Sequence, residues 1–374
     1  MPRDSAFLVA VLRKGFRKET FEEILEELSE LTRSAGGAIV GQITSAIERP
    51  TSNLFISQGK LLEIKAKTKQ VGANVLIFNV DLSPIQARNI ESITGIRAVD
   101  RTGLIIDIFA RRAQSRAGRL QVELAQLVYL LPRLVGYGVI MSRTGGGIGT
   151  RGPGEQKLEV DRRKTRDRIG RVKKELEKLK THQRLVRKRR QRKAFPLVAI
   201  VGYTNSGKSA LLNALTGANV LVEDKLFATL DPTTRILSTP GKKDILLTDT
   251  VGFLANLPHT LVQAFLATLE EVTDADVLVH VLDISNPSCH SQYESVWKVL
   301  EELKAETKPS VLALNKIDLL DEVQVQQISR KYLGGVPISA KYKLNLGRLV
   351  EKIHESIERK EAQLEYESTH STAL

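Results

Sequence analysis

A second cysteine is missing from this 374-residue chain. Cys289 stands alone, so no internal disulfide can form, and a reducing compartment is the natural setting. No stretch of about 20 apolar residues exists, which leaves no candidate for a membrane-spanning helix. The opening MPRDSAFLVAVLRKGF holds an apolar run too short for a secretion signal, with charges directly after it. Acidic residues are scarce in one place. Between Arg162 and Lys193 there are 3 Asp and Glu against 17 Lys and Arg. That excess of 14 accounts for the whole net charge of +13. The same stretch lacks any aromatic side chain on which a base could stack. Its charge implies a polyanionic partner met through backbone and shape.

Hydrophobic residues make up 42% of the chain, enough for two or three cores. Residues 1–100 alternate strand and helix signals. AFLVAVLR, AIVGQIT, NVLIFNV and IRAVD read as buried strands, and KETFEEILEELSELTRSAGG, GKLLEIKAKTKQVG and SPIQARNIESITG as helices between them. Ser83 and Pro84 suit an N-cap and a first helical position. This pattern predicts a small parallel α/β subdomain. Residues 101–194 predict a long antiparallel helical hairpin. Its first arm, TGLIIDIFARRAQSRAGRLQVELAQLVYLLPRL, reads as one helix. A glycine-rich loop, TGGGIGTRGPGEQ, forms the tip. The second arm carries Ile169, Val172, Leu176 and Leu179 at heptad-like spacing. The βα alternation returns over residues 195–360, and residues 361–374 read as a flexible polar tail.

The third region carries the chemistry. GYTNSGKS (Gly202, Tyr203, Thr204, Asn205, Ser206, Gly207, Lys208, Ser209) matches a phosphate loop between an apolar strand and a helix. Its amides would point at phosphates, with the helix N-terminus adding partial positive charge. Lys208 would bridge phosphate oxygens, and the Ser209 hydroxyl would bind Mg²⁺. NKID (Asn315, Lys316, Ile317, Asp318) follows a strand roughly 110 residues later. The Asp318 carboxylate can accept two guanine N–H groups that adenine lacks. Ser339, Ala340 and Lys341 end the next strand, where their backbone can meet the guanine O6. DTVG (Asp249, Thr250, Val251, Gly252) would hold Mg²⁺ through water and sense the terminal phosphate. FATLDPTTR, from Phe227 to Arg235, reads as a switch loop that needs one threonine for Mg²⁺. Thr229, Thr233 and Thr234 compete for that role on chemistry alone.

These motifs, with GRLQVELAQLVYLLPRL and SRTGGGIGTRGPGEQKLEVDRR, resemble the HflX family of translational GTPases over roughly residues 5 to 360. LFISQGKLLEI, Leu54 to Ile64, departs from the family's more glycine-rich approach to its GK. The resemblance implies an N-terminal α/β subdomain, a helical hairpin and a P-loop GTPase domain. It implies that Thr229 is the magnesium-binding threonine and that Phe227, Ala228, Thr229, Leu230 and Asp231 lie along the nucleotide. On this reading Lys208, Thr229 and Gly252 carry the hydrolysis. It also implies binding to the large ribosomal subunit and the splitting of stalled ribosomes under stress. Large-subunit assembly, or RNA binding with GTP as a structural ligand, are the alternatives. A cytoplasmic monomer, with or without peripheral membrane association, is the corresponding expectation.

A glutamine is absent where many GTPases place one to hold the attacking water: Phe253 follows DTVG. Turnover without a partner is expected to be slow. Asn205 admits two readings, a turn former or a ligand for K⁺ near the phosphates. The RNA contacts are expected from Arg151 in the tip loop and from Arg187, Lys188, Arg189, Arg190 and Arg192.

Overall fold

The computed structural model describes residues 4–13, 18–136, 153–191, 195–217, 226–227, 230–254, 269 and 271–371. These fall into two compact units. The first runs to Lys178 and the second begins at Leu179.

The first unit is built on a wholly parallel four-stranded sheet. Its strands are β1 (Ser5–Arg13), β2 (Ala38–Ile47), β3 (Val75–Phe78) and β4 (Arg97–Val99), in the order β2-β1-β3-β4. Strands β1 and β3 are short apolar runs buried on both faces, as the covered sheet of an α/β layer requires. Helices α1 (Lys18–Ser34), α2 (Gln58–Val71) and α3 (Pro84–Thr94) return the chain between them. Phe7, Val9, Ile43, Leu61, Leu76, Phe78 and Ile90 share one core. Helix α3 starts as the sequence predicts. Ser83 and Gln86 form a reciprocal capping box with Pro84 in the first turn, and Gly95 closes the helix at φ 75°.

Residues 101–178 group with this sheet. The first arm of the hairpin is two helices where the sequence led us to expect one. Helix α4 spans Arg101–Arg112 and α5 spans Arg116–Leu130. The Ser115 hydroxyl accepts the Gly118 amide at 2.9 Å, so a cap starts α5 inside a run whose apolar spacing reads straight through. Helix α6 (Pro153–Gln191) is the second arm. Arg168 grips Glu123, and Arg116 lies 3.5 Å from Glu175, so α5 and α6 run antiparallel. Val172 and Leu176 of the heptad seam are buried, while Ile169 and Leu179 are half-buried.

The second unit carries a six-stranded sheet in the order β10-β9-β8-β5-β7-β6. Its members are β5 (Leu197–Gly202), β6 (Thr233–Leu237), β7 (Ile245–Asp249), β8 (Val277–Asp283), β9 (Ser310–Asn315) and β10 (Val336–Pro337). Only β6 runs antiparallel, paired with β7. Helices α7 (Lys208–Thr216), α8 (Cys289–Glu302), α9 (Glu322–Lys331) and α10 (Leu346–Ser371) complete it. Val198, Ile200, Leu247, Val279 and Val281 meet Leu211, Leu349 and Ile353 in its core. The expected tail begins within a helix. Residues 361–371 continue α10, and Glu361 pairs with Lys243 at 2.9 Å. A polar composition suits a solvent-facing helix extension as well as it suits a coil. No described helix is long and apolar enough to cross a membrane.

Candidate functional site

At the carboxyl end of β5 the chain turns through GYTNSGKS into α7. Asn205 sits at φ 60° and Gly207 at φ 95°, both left-handed. Asparagine reaches that region more readily than most residues, so the turn-forming reading of Asn205 has its backbone counterpart. Gly207 has a second reason to be glycine: an added Cβ would sit 2.3 Å from Asn315 Nδ2. The loop therefore closes tightly against NKID. Lys208 is buried and donates to the Tyr203 carbonyl at 2.7 Å. Burial pulls its ammonium down to about 8, against the attraction of Asp249. The Thr204 and Ser206 hydroxyls are buried with no hydrogen-bond partner among the described residues. Buried polar groups normally find partners, so this concave loop is arranged for a polar guest.

The DTVG segment lies against the loop. Ser209 donates to Asp249 Oδ2 at 2.5 Å, and the Thr250 hydroxyl donates to the Ile200 carbonyl at 2.7 Å. A Cβ on Gly252 would stand 2.9 Å from Thr204 and 3.0 Å from the Lys208 ammonium. Val251 is buried. Phe253 is fully buried, and its main chain pairs with the phosphate loop: its N–H donates to Gly202 and its carbonyl accepts from Thr204. The side chain at this position belongs to the core and carries no group that could hold a water.

The base motifs converge on one amide. Asn315 Nδ2 donates to the Ser206 carbonyl at 2.8 Å, and Asn315 Oδ1 accepts from the Ala340 amide at 3.0 Å. One side chain thus joins the phosphate loop, NKID and SAK. Ile317 N–H donates to the Ile338 carbonyl. The Ser339 hydroxyl donates to Asp318 Oδ1 at 2.5 Å and accepts from the Tyr342 amide. Lys316 lies 2.7 Å from Asp283 Oδ2. Lys341 is exposed, with its ammonium 5.1 Å from the Tyr342 ring centroid.

The switch stretch is shorter than the sequence reading made it. Thr233 and Thr234 belong to β6, opposite Asp249 and Thr248, and the Thr234 hydroxyl shares a hydrogen bond with that of Thr248. Phe227 and Leu230 are buried and Asp231 is half-buried. Ala228 and Thr229 lie outside the described residues, as do Arg151 and Arg192. Arg187, Lys188, Arg189 and Arg190 lie on the α6 backbone, with their side chains outside the description.

The donor set fits a magnesium nucleotide. A hydroxyl and a carboxylate meet at Ser209 and Asp249, and Mg²⁺ takes such oxygens together with phosphate oxygens and water. When bound, the ion would neutralise charge developing on the phosphates. Sequence reasoning missed the roles of Asp283 and of the Phe253 backbone. The acid that ends VLVHVLD was the available signal for the first.

Comparisons with known proteins address the family. Three family models match in succession: "GTP-binding GTPase N-terminal" at residues 22–110, "GTP-binding GTPase Middle Region" at 112–190, and "50S ribosome-binding GTPase" at 197–316. GTPase HflX of Caldanaerobacter subterraneus is 50% identical over 95% of this chain and 81% of its own length. The chain belongs to the HflX family. GTPase HflX of Escherichia coli is 44% identical over 83% of this chain and 72% of its own length. Among solved structures, the SsGBP complex with GDP covers 96% of this chain and 99% of its own, at 26% identity and a TM-score of 0.49. As an HflX GTPase of the P-loop class, the chain binds guanine nucleotide and hydrolyses GTP.

Proposed function

We propose that the chain is a ribosome-activated switch that binds the large ribosomal subunit and splits stalled or idle ribosomes under stress. Lys208, Thr229 and Gly252 carry hydrolysis of a GTP held by the phosphate loop, DTVG, NKID and SAK. Ser209 and Thr229 would hold Mg²⁺, with Asp249 beside Ser209. The guanine edge meets Asp318. GTP favours a state that grips the particle, and hydrolysis releases it, so the work comes from differential binding of the two nucleotide states. The grip is electrostatic. Arg163, Lys164, Arg166, Arg171, Lys173, Lys174 and Lys178 of α6 are exposed, and the cationic run continues to Lys193. Arg151, Arg187, Lys188, Arg189, Arg190 and Arg192 extend the same contact to ribosomal RNA.

The observation that carries this reading is the burial of Phe253 beside the phosphate loop and DTVG. A GTPase without its usual water-positioning residue leans on a partner, and charge stabilisation supplied by one is worth roughly 10³ to 10⁵ in rate. The ribosome is that partner, and K⁺ held by Asn205 is a further contributor. The description of the matched model at 197–316 accords with it. The protein works in the cytoplasm and is monomeric when free.

Sedimentation of intact ribosomes with the protein and GTP, GDP or a non-hydrolysable analogue tests the proposal. Co-sedimentation that depends on the terminal phosphate, together with loss of monosomes to free subunits, is the expected result. Equal retention with every nucleotide overturns it. Enrichment on precursor particles alone would move the role to subunit assembly. Phosphate release measured in KCl and in NaCl, with and without ribosomes, separates the two activators.

A further inference from the structure

Asp283 is the last residue of β8 and stands opposite Asn315 across the β8–β9 pair. The next amide, from Ile284, donates to the Asn315 carbonyl at 3.1 Å. The carboxylate is nearly buried, and both of its oxygens are spoken for. Oδ1 accepts from the Ser285 amide at 3.0 Å and from the Ser285 hydroxyl at 2.6 Å. Oδ2 meets the Lys316 ammonium at 2.7 Å. Lys316 itself has a left-handed backbone, φ 67°, at the start of the short 3-10 turn Ile317–Leu319. Its direction is therefore fixed at both ends, by the backbone at one and by Asp283 at the other.

We propose that Asp283 is a positioning residue of the base site: it pins Lys316 so that the lysine stem is already laid out as a floor for the purine ring. The inference rests on reading NKID as the base site. A lysine carries four rotatable bonds, and ordering them at the moment of binding would cost affinity. A head held by an oriented carboxylate has met that cost before the nucleotide arrives. The stem presents methylene groups to a ring face, and every purine has such a face. Asp283 therefore sets affinity, whereas the hydrogen bonds to Asp318 set the choice of base.

The test is a double-mutant cycle of Asp283→Asn and Lys316→Ala, read by calorimetric binding of GDP and IDP to the full-length protein. Asp283→Asn keeps the shape and removes the charge. We expect it to weaken GDP about tenfold and IDP by the same factor, leaving the GDP/IDP ratio unchanged. The double variant should bind no worse than Lys316→Ala alone. Wild-type affinity in Asp283→Asn beside weak binding in Lys316→Ala overturns the proposal while the base-site reading stands. Normal binding in Lys316→Ala shows that the stem lays no floor and overturns the proposal too, whereas equal binding of GDP and IDP by the unaltered protein removes the base-site reading itself. Additive losses in the double variant show that Asp283 acts elsewhere and also overturn the proposal. Should Asp283→Asn unfold, Ser285→Ala removes only the 2.6 Å bond that orients the carboxylate, and a smaller loss in the same direction is expected. No loss there overturns the proposal equally.

Discussion

Strands β4 and β5 each run into a helix through a polar turn, and the two turns are opposites. After β4 the turn is the single residue Asp100. Its buried carboxylate accepts from the Gly103 and Leu82 amides, from the Tyr129 hydroxyl and from the Arg133 guanidinium, all within 2.6 to 3.2 Å. Burial pushes this carboxyl up, opposed first by the Gly103 amide and then by the Arg133 charge. Arg133 also lies 3.5 Å over the Tyr129 ring. After β5 the turn is a whole loop with a desolvated lysine and two buried hydroxyls that have no partner among the described residues. The first turn has spent its polar capacity internally and holds α3, α4 and α5 in register. The second keeps its capacity for a guest. Within one chain, local saturation of hydrogen bonds separates a structural polar knot from a binding site.

Substitutions can break this contrast. Asp100→Ala leaves an arginine, a tyrosine hydroxyl and two amides without their acceptor. It should cost the first unit about 3–5 kcal/mol. Amide hydrogen exchange in β3 and β4 will accelerate accordingly, while GDP affinity stays at the wild-type value. Gly207→Ala should do the reverse. A methyl group forced against Asn315 at positive φ costs about 3 kcal/mol, read as roughly 100-fold weaker GDP binding with exchange in β3 and β4 unchanged. If either variant disturbs both units, the contrast fails.

Two smaller effects sharpen it. Phe253→Gln buries an amide in place of a ring and should destabilise the second unit by about 2 kcal/mol. Phosphate release without ribosomes should not rise, because the position is fully buried. A shift in the denaturant midpoint and a phosphate assay check both halves. The weakest effect is with pH. Lys208 loses its proton near pH 8 in the empty loop, far below an unfolded lysine. Between those values the unfolded chain binds more protons, so stability of the nucleotide-free protein rises with pH. Bound phosphate restores the charge, so GDP binding takes up a proton there. Calorimetric affinity should be flat below pH 8 and fall by up to about tenfold per unit above it.

Much of this was readable from residues alone, and the exceptions have physical reasons. Short apolar runs bounded by glycine and caps marked the strands of both sheets, and GYTNSGKS, DTVG and NKID announced themselves by spacing. The break between α4 and α5 did not, because apolar periodicity is blind to a serine that caps. Strand β6 was hidden for a different reason. TTRIL is a half-exposed edge, so it lacks the continuous apolar signal of its buried neighbours. The saturation of Asp100 was invisible, since three of its four partners lie 18 to 33 residues away along the chain and only Gly103 is local. The pairing of Asp283 with Lys316 likewise depends on the order of strands in the sheet, which no local pattern states.

One carboxamide, that of Asn315, is bolted to three separate loops. Anything that shifts the purine must also shift the cradle under the phosphates. A lineage selected to accept a different base would inherit a changed grip on the polyphosphate in the same step. The two traits travel as one, and neither can be retuned alone while that rivet stays in place.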